Sequence, residues 1–448
     1  PGDKSPGYIC KAHPGWNGVK NYAGGHVWRW GTPVVSSFLV YRSPSRPGNQ
    51  VEDLLNKVSL RMIYRRIFRG IGLLIVAMFF LAGCASGQSE RSFSARISGM
   101  QEQGVASGFQ RAEGVEALNF PEDFGPHPGY QTEWWYYTGN LDSPDGRHFG
   151  YQLTFFRRAL RPPTEIAGRS SDWATNQVYM AHFALTDVQG RQQHAYERLA
   201  RGAAGLAGAQ ASPYQVWLED WRVEQSAPGV YQLQARQDGI AVELELVDQK
   251  GPVLQGDQGY SQKGPQPGQA SYYYSQTRLV SSGSVALGDE HFDVQGLSWM
   301  DHEYSTSALA ANQVGWDWFA LQLEDGGDLM LFHIRKADGS LDPYSSGMYF
   351  DAAGAKQNLS VEDFEIQVQG TWKSPHTQAV YPSGWRVRIP ELQLDIEIEP
   401  YLDDQELNLS YSYWEGAVRI SGRSGEQAVS GVGYVELTGY AASMGGEF

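Results

Sequence analysis

The chain has 448 residues, a length that suits two domains with buried cores. Its 35 Lys and Arg residues against 50 Asp and Glu residues give a net charge of −15, which argues against nucleic acid as a partner because a polyanion would be repelled. Aromatic residues make up 13% of the chain and glycine occurs 52 times, a composition that favours short strands joined by tight turns.

The first feature along the chain is a short apolar run, residues 71–83, preceded by arginines at positions 61, 65, 66 and 69. At about 1.5 Å per residue the run is too short to cross a hydrocarbon core of about 30 Å, and a basic segment before a short apolar one is typical of an export signal. The letters LAGC at residues 81–84 resemble the lipobox of bacterial lipoproteins, in which the cysteine carries the lipid. We therefore predict lipidation of Cys84; the alternative is a buried helix with a chance cysteine.

The first methionine, Met62, stands directly before the basic segment and is the predicted natural start. Residues 1–61 are then an upstream segment outside the native protein, residues 62–83 are a lipoprotein signal peptide, and residues 84–114 are a flexible tether. Ala85, in place of an aspartate retention signal, favours a lipid-anchored protein of the bacterial envelope, on the outer membrane facing the periplasm if the host has two membranes. No cysteine follows Cys84, which excludes disulfides and a thiol nucleophile from the mature chain.

From residue 115 onwards, strand patterns dominate the sequence. Short segments alternate between apolar and polar residues, or run apolar throughout, and are bounded by Gly, Pro, Asn or Asp. Clear examples are RHFGYQLTFFRRAL, QVYMAHFALTD, GVYQLQARQ, AVELELVDQ, GDLMLFHIRK, LQLDIEIEP and YSYWEGAVRISGR. The predicted fold class is all-β and antiparallel.

Two pairs of similar segments indicate an internal duplication. The segment that begins at Trp134 matches the one from Trp316: an aromatic strand, an acidic turn and an apolar strand that ends in arginine. The segment from Gly283 matches the one from Gly416, and this alignment places Glu436 where Asp301 stands in the first half. We therefore predict two tandem β-barrels, residues 115–304 and 312–448, with a crossing at residues 305–315 and a surface loop at residues 263–271.

The main chemical candidates lie in the segment WMDHEYS at the end of the first half. On a strand, Asp301 and Glu303 share one face and His302 takes the other. On the inward face of a barrel, burial would raise the pKa of a carboxyl group and make it a general acid near neutral pH. The alternative is a structural role, in which the carboxylates bind backbone groups or pair with one of three arginines, Arg157, Arg158 or Arg278.

A second candidate is Glu133 in the segment EWWYY. Alternation places Glu133, Trp135 and Tyr137 on one face of a strand, and Trp134 with Tyr136 on the other. A carboxylate beside aromatic rings can help to stabilise a cation, or can merely cap a loop. His182 and His291 are strand histidines of a kind that is more often part of a core than a ligand. The chain contains no H-E-x-x-H, G-x-S-x-G, P-loop or dinucleotide-binding motif, so no metal or nucleotide cofactor is predicted.

Several segments together resemble the hydroxyneurosporene synthase family of carotenoid 1,2-hydratases and their lipocalin-like relatives, labelled AttH or secreted hydrolases. They are EWWYYTGNL, YMAHFALTD, SWMDHEYS followed by GWDWFALQLEDG, and YWEGAVRISG with GVGYVELTGY. The resemblance spans residues 120–440 and implies two lipocalin-like barrels. For the pigment hydratases it implies cofactor-independent addition of water to an isoprenoid double bond, with a proton-donating aspartate that the motif places at Asp301.

Two functions remain open. The first is a hydratase, or a hydrolase, that acts on a lipid with the catalytic residues Asp301, His302, Glu303 and Glu133. Its predicted substrate-binding residues are Trp134, Trp135, Tyr137, His182, Trp299, Tyr304 and Trp316. The second is a lipid-binding lipoprotein without catalysis, in which these residues are structural. Either function predicts an isoprenoid or other lipid-like ligand, membrane attachment through Cys84 and no cofactor; the oligomeric state does not follow from the sequence.

Overall fold

A computed structural model describes residues 108–163, 171, 173–306, 309–310 and 312–444 of the chain. Its strand pairs are antiparallel. Helical structure in this part of the chain is confined to short 3-10 turns such as Glu122–Phe124 and Pro390–Leu392, and none of it is long and apolar enough to cross a membrane. The predicted signal peptide and Cys84 lie outside the described residues.

The first sheet has 13 strands. They are β1 (Thr132–Asp142), β2 (His148–Ala159), β3 (Gln177–Asp187), β4 (Gln192–Arg201), β5 (Ala207–Ala211), β6 (Tyr214–Leu218), β7 (Trp221–Ala227), β8 (Val230–Gln237), β9 (Ile240–Asp248), β10 (Val253–Leu254), β11 (Tyr260–Gln262), β12 (Ala270–Leu287) and β13 (Glu290–Ser305). Their order is β4-β3-β2-β1-β13-β12-β9-β8-β7-β6-β5, with β10 and β11 paired to β12. The sheet curls around one core, because Phe183 near one edge packs against Trp221 near the other with ring centroids 5.7 Å apart.

The second sheet has 10 strands and a similar curl. They are β14 (Gln313–Leu323), β15 (Asp328–Lys336), β16 (Ser346–Phe350), β17 (Lys356–Ser360), β18 (Glu365–Val368), β21 (Trp385–Ile389), β22 (Leu394–Pro400), β23 (Glu406–Asn408), β24 (Ser412–Ser424) and β25 (Gln427–Leu437), while β19 (Thr371–Lys373) and β20 (Val380–Pro382) form a separate ribbon. The order is β17-β16-β15-β14-β25-β24-β22-β21-β18. Phe319 of β14 packs on Trp385 of β21 inside this sheet, with ring centroids 5.5 Å apart.

The two sheets share one strand order. In the first, β1 lies between β2 and β13, and β12, β9 and β8 follow β13; in the second, β14 lies between β15 and β25, and β24, β22 and β21 follow β25. The segments that match in the sequence, β1 with β14 and β13 with β25, therefore occupy equivalent places. The prediction of two tandem antiparallel barrels is confirmed.

A third apolar core joins the two barrels through the outer faces of their sheets. It contains Tyr136, Tyr273 and Trp299 from the first sheet and residues such as Trp318 and Phe332 from the second. Polar contacts reinforce it: Asp328 of β15 is buried and accepts hydrogen bonds from Thr277 (2.8 Å) and Arg278 (2.5 Å) of β12. This junction holds the facing surfaces of the barrels in register and frames the cleft described next.

Candidate active site in the cleft between the barrels

The cleft lies between the outer faces of the two barrels and encloses about 890 Å³, part of it open to solvent. Its walls are mostly apolar and aromatic. The rings come from both sheets: Trp134, Tyr136, Phe156, Tyr273, Trp316, Trp318, Phe332 and Tyr411. Four ionisable groups also line it, the carboxyls of Asp301, Glu303 and Glu436 and the amine of Lys263. An aromatic cavity with a few converging polar groups is the usual form of a ligand site.

Strand pairing decides which predicted residues reach the cleft. In the ladder between β1 and β13, Tyr136 lies opposite Asp301 and Trp134 lies opposite Glu303. Directly opposed residues share a face of the sheet, and this face points to the second barrel. The expected inward placement of Asp301 is therefore wrong. The interior of the first barrel is already filled by the other face of the same strands, so the carboxyl lies outside it.

Asp301 is only 4% exposed and is held by three neutral donors. Tyr273 donates its hydroxyl to Oδ2 (2.6 Å), Ser275 donates to Oδ1 (2.5 Å), and the indole N–H of Trp299 donates to Oδ1 (2.7 Å). Burial raises the pKa of Asp301 to about 7, although these hydrogen bonds favour the ionised form and oppose the shift. In the part of the chain that the structure describes, Asp301 forms no ion pair.

Glu303 differs from Asp301 in having a cationic partner. Lys263 Nζ lies 3.1 Å from Glu303 Oε1 and also 4.4 Å from the centroid of the Phe332 ring. Gln313 donates a hydrogen bond to the backbone carbonyl of Lys263 (2.8 Å), which ties this residue to the start of β14. The charge of Glu303 is thus balanced within the cleft wall.

Glu436 is one of the cleft residues that the sequence-based prediction left out. It lies on β25 opposite Trp318 of β14, which is the equivalent in the second barrel of Asp301 opposite Tyr136. Trp316 donates its indole N–H to Glu436 Oε2 (2.8 Å). Burial raises the pKa of Glu436 to about 7, with a further contribution from the charges of Asp301 and Glu303. The alignment of the two halves already paired these positions, but only the packing of the barrels shows that both face one cleft.

Two hydrogen bonds connect the cleft walls across the junction. Trp318 of the second sheet donates to the hydroxyl of Tyr273 (3.2 Å), the same hydroxyl that binds Asp301. Tyr136 of the first sheet donates to Glu415 Oε2 (2.8 Å) on β24. Glu415 is fully buried, and burial raises its pKa well above the usual range. Each barrel thus holds polar groups of the other in place.

Glu133 and His302 form a separate network inside the first barrel. His302 Nε2 and His127 Nδ1 are both hydrogen-bonded to Glu133 Oε1 at 2.8 Å, and Arg157 donates to Glu133 Oε2 at 2.6 Å. Burial would raise the pKa of Glu133, but Arg157 and His127 hold it well below its usual value. Burial would lower the pKa of His127, but the Glu133 and Asp123 carboxylates raise it to about 9.

The same network has the spacing of a metal site but not its electrostatics. The ligand atoms of His127, Glu133 and His302 lie within 4.8 Å of one another. However, these atoms already bind each other directly, and the Arg157 guanidinium lies against the one carboxylate. A divalent cation would have to displace these hydrogen bonds beside a fixed positive charge. The arrangement therefore supports an internal ion network.

The remaining predicted residues divide between these regions. Trp135 stacks on His302 (4.7 Å), Tyr304 stacks on His127 (3.6 Å) and Tyr137 binds the hydroxyl of Tyr214 (2.6 Å), so these three rings belong to the interior of the first barrel or its end. His182 is buried at the junction, hydrogen-bonded to Tyr413 (2.7 Å) and Glu197 (3.1 Å). Trp134 and Trp316 line the cleft, and Trp299 reaches it through Asp301.

Comparison with known proteins agrees with the fold. The crystal structure of an AttH protein from Nitrosomonas europaea has 36% sequence identity and a TM-score of 0.65, and the match covers 72% of this chain and 97% of that chain. The crystal structure of kievitone hydratase from Nectria haematococca has 14% identity and a TM-score of 0.56, covering 75% of this chain and 98% of that chain. No match is found among proteins with curated descriptions. The sequence profile of the AttH-like family matches residues 111–440, and the chain belongs to this family.

Proposed function

We propose that the protein is a hydratase that adds water to a carbon–carbon double bond of an isoprenoid or similar apolar substrate held in the cleft. The observation that carries this proposal is the state of Asp301. It is a buried carboxyl with a pKa raised to about 7 and only neutral hydrogen-bond partners, and it lines an aromatic cavity. A carboxyl in this state retains a proton near neutral pH and can deliver it to a substrate.

The surroundings of Asp301 suit the charges that develop in such a reaction. Transfer of its proton to an alkene carbon creates a carbocation on the substrate and a carboxylate on Asp301. The faces of aromatic rings such as Trp134 and Trp316 favour the cation, and the apolar walls exclude bulk water. The hydroxyls of Tyr273 and Ser275 and the indole of Trp299 are already aimed at the oxygens where the negative charge appears. Water then adds to the cation, and no cofactor takes part.

The similarity to kievitone hydratase supports the proposal only by analogy. That protein is a hydratase by name and shares the fold at 14% identity, but a shared fold does not determine the chemistry of a site. The argument for this chain therefore depends on its own residues.

A lipid carrier without catalysis is the second candidate function. The specific observation in its favour is that the oxygens of Asp301 accept three hydrogen bonds, as a structural carboxyl in an apolar pocket would. A carrier would use the aromatic walls for binding and Asp301 for the integrity of the cleft.

Replacement of Asp301 by Asn separates the two functions. Asn keeps the shape and removes the acid, so we expect a rate loss of about a hundredfold or more, the range for a lost general acid, with little change in ligand affinity. The assay presents acyclic carotenoids and squalene and detects the mass of one added water. Glu365→Gln is the control, since that carboxyl is exposed, is paired with Arg388 and does not line the cleft, so this variant should keep the parental rate.

The opposite result for Asp301→Asn would favour the carrier. If turnover of every tested alkene is unchanged in this variant while its melting temperature falls, the residue is structural and the hydratase proposal fails.

We also propose that the protein acts in the bacterial envelope, anchored by a lipid on Cys84 and facing the periplasm if the host has two membranes. The arginine-rich segment, the short apolar run and LAGC at residues 81–84 support this placement. An anchor of this kind keeps the cleft near the membrane, where isoprenoid substrates are dissolved.

A further inference from the structure

The cleft contains a second carboxyl that the single-acid mechanism does not use. Glu436 lies on the second barrel at the position equivalent to Asp301 on the first, and both line the same cavity. Each carboxyl accepts a hydrogen bond from a tryptophan indole, Trp299 in one case and Trp316 in the other. The duplicated fold thus brings two similar carboxyls to one apolar space from opposite walls.

Hydration needs two proton transfers at different atoms. One group must give a proton to carbon, and a base must take a proton from the water that attacks the cation; for water that approaches from the wall opposite Asp301, that base is a different group. Glu303 is a poor acceptor because it is paired with Lys263 at 3.1 Å. Glu415 is fully buried, does not line the cleft and presents no free carboxylate to it, and burial raises its pKa well above the usual range. In the described part of the chain, Glu436 is the cleft carboxyl besides Asp301 that has no cationic partner.

We propose that Glu436 is the general base that takes the proton from the attacking water in this cleft. The inference rests on the proposed hydratase function. As the Asp301 O–H bond breaks, a C–H bond forms and leaves a carbocation on the neighbouring carbon. A C–O bond then forms from water while one of its O–H bonds passes a proton to the Glu436 carboxylate. Glu436 returns that proton to Asp301 through solvent, so the net change is addition of one water.

Electrostatics favours this division of roles between the two carboxyls. Burial is the main cause that raises the pKa of both Asp301 and Glu436; the charge of Glu303 adds to the shift of Asp301, and the charges of Asp301 and Glu303 add to that of Glu436. Because both carboxyls line one apolar cavity and ionisation of Asp301 opposes that of Glu436, a state with one protonated and one ionised group is favoured near neutral pH. One group then serves as acid while the other serves as base.

The first test does not depend on knowing the substrate. The full chain is labelled with ¹³C at glutamate carboxyls, and the Glu436 resonance is assigned by its loss in Glu436→Gln. We expect Glu436 to titrate near pH 7, and Asp301→Asn to lower its pKa by roughly one unit, because the charge of Asp301 contributes to the raised value. Glu365→Gln, an exposed carboxyl paired with Arg388, is the control and should leave the titration unchanged. If the Glu436 resonance titrates below about pH 5 and its pKa is the same in Asp301→Asn, the proposal is overturned.

The second test separates the two catalytic steps, with squalene in D₂O as the probe. In Glu436→Gln, protonation by Asp301 persists and the cation collapses back to an alkene, so deuterium enters recovered squalene while hydration falls about a hundredfold. Asp301→Asn should form neither deuterated squalene nor the hydrated product. Glu436→Asp keeps a carboxylate on a shorter arm and should restore part of the hydration, which a purely structural role does not predict.

The outcomes distinguish the inference from the function on which it rests. If Glu436→Gln hydrates at the parental rate while Asp301→Asn is inactive, the assignment of Glu436 as general base is wrong and the hydratase proposal stands. If Asp301→Asn retains hydration, the hydratase mechanism itself fails. Should Glu436→Gln not fold, the Glu436→Asp variant and the titration of the parent protein still decide the question.

Discussion

Two buried carboxylates on paired strands show how neighbouring side chains set the chemistry of a residue. Glu133 lies against Arg157 and two histidines, which hold its pKa well below the usual value and keep it ionised. Asp301 lies among neutral donors, and its pKa is raised to about 7. Of these two predicted catalytic groups, only Asp301 has a proton to give near neutral pH.

The ion network around Glu133 predicts a loss of stability when its charge is removed. Glu133→Gln leaves Arg157 buried without its counter-ion, so we expect the free energy of unfolding at pH 7 to fall by about 3–5 kcal/mol. Because the folded-state pKa of Glu133 is lowered, its contribution is present above the ordinary value of 4.5 and is lost as pH falls through the folded-state value. Calorimetry of the parent and the variant should show a difference in melting temperature that shrinks below pH 4.5.

Asp301→Asn is the matched control, because the pH dependence of the stability that Asp301 contributes has the opposite sign. The folded-state pKa of Asp301 is raised, so the stability it contributes is present at low pH and is lost as pH rises from 3.8 to about 7. At pH 8 this variant should melt no lower than the parent. Equal losses in Glu133→Gln and Asp301→Asn at pH 8 would contradict both assignments.

At the scale of elements, the outer faces of the strands are closely packed where the two barrels meet. β2 and β24 come from different barrels and approach so closely that a Cβ added at Gly150 would lie 2.5 Å from the Cβ of Ala417. Asn140 of β1 donates to the backbone carbonyl of Gly433 on β25 (2.9 Å) beside this contact. The position of the second barrel, and with it the width of the cleft, depends on small residues at the junction.

This contact predicts a rescue experiment. Gly150→Ala alone should destabilise the protein by about 1–3 kcal/mol, because a methyl group is forced into a packed junction. Ala417→Gly removes the atom with which it collides, so the double variant should regain most of that loss, apart from about 0.5–1 kcal/mol for glycine in a strand. Urea denaturation of the parent, both single variants and the double variant measures the coupling. Strictly additive losses would show that the two sites do not touch.

At the scale of the whole molecule, sequence alone predicted the tandem barrels better than the site. The two duplicated segments were enough to place β1 with β14 and β13 with β25. Alternation also grouped Asp301 with Glu303 and set His302 apart. It could not say which face is interior, because both faces of β13 are buried over residues 298–305, one inside the barrel and one against its partner. Tyr273, Lys263 and Glu436 join the site through pairing and docking that no local pattern encodes.

Because the cleft lies between the two barrels, the proposed reaction would depend on both of them. Asp301 comes from the first barrel and Glu436 from the second. A hydrogen bond joins Trp318, which lies opposite Glu436 in its sheet, to Tyr273, which binds Asp301. Neither barrel alone forms the apolar space. Under the proposed function, an apolar substrate would reach this space from a membrane, and the predicted lipid at Cys84 would hold the cleft near it.

That connection gives the last prediction. Cys84→Ser removes the only thiol that a lipoprotein signal could modify, so the protein should move from the membrane pellet to the supernatant in a fractionation of expressing cells. Asp301→Asn is the matched control and should stay in the pellet. With squalene in detergent micelles, Cys84→Ser should match the parent; with squalene in lipid vesicles, it should be slower, because the cleft is no longer held at the bilayer. If Cys84→Ser and the parent pellet identically, the lipid anchor is wrong, and delivery of substrate from the membrane must depend on the surface of the barrels.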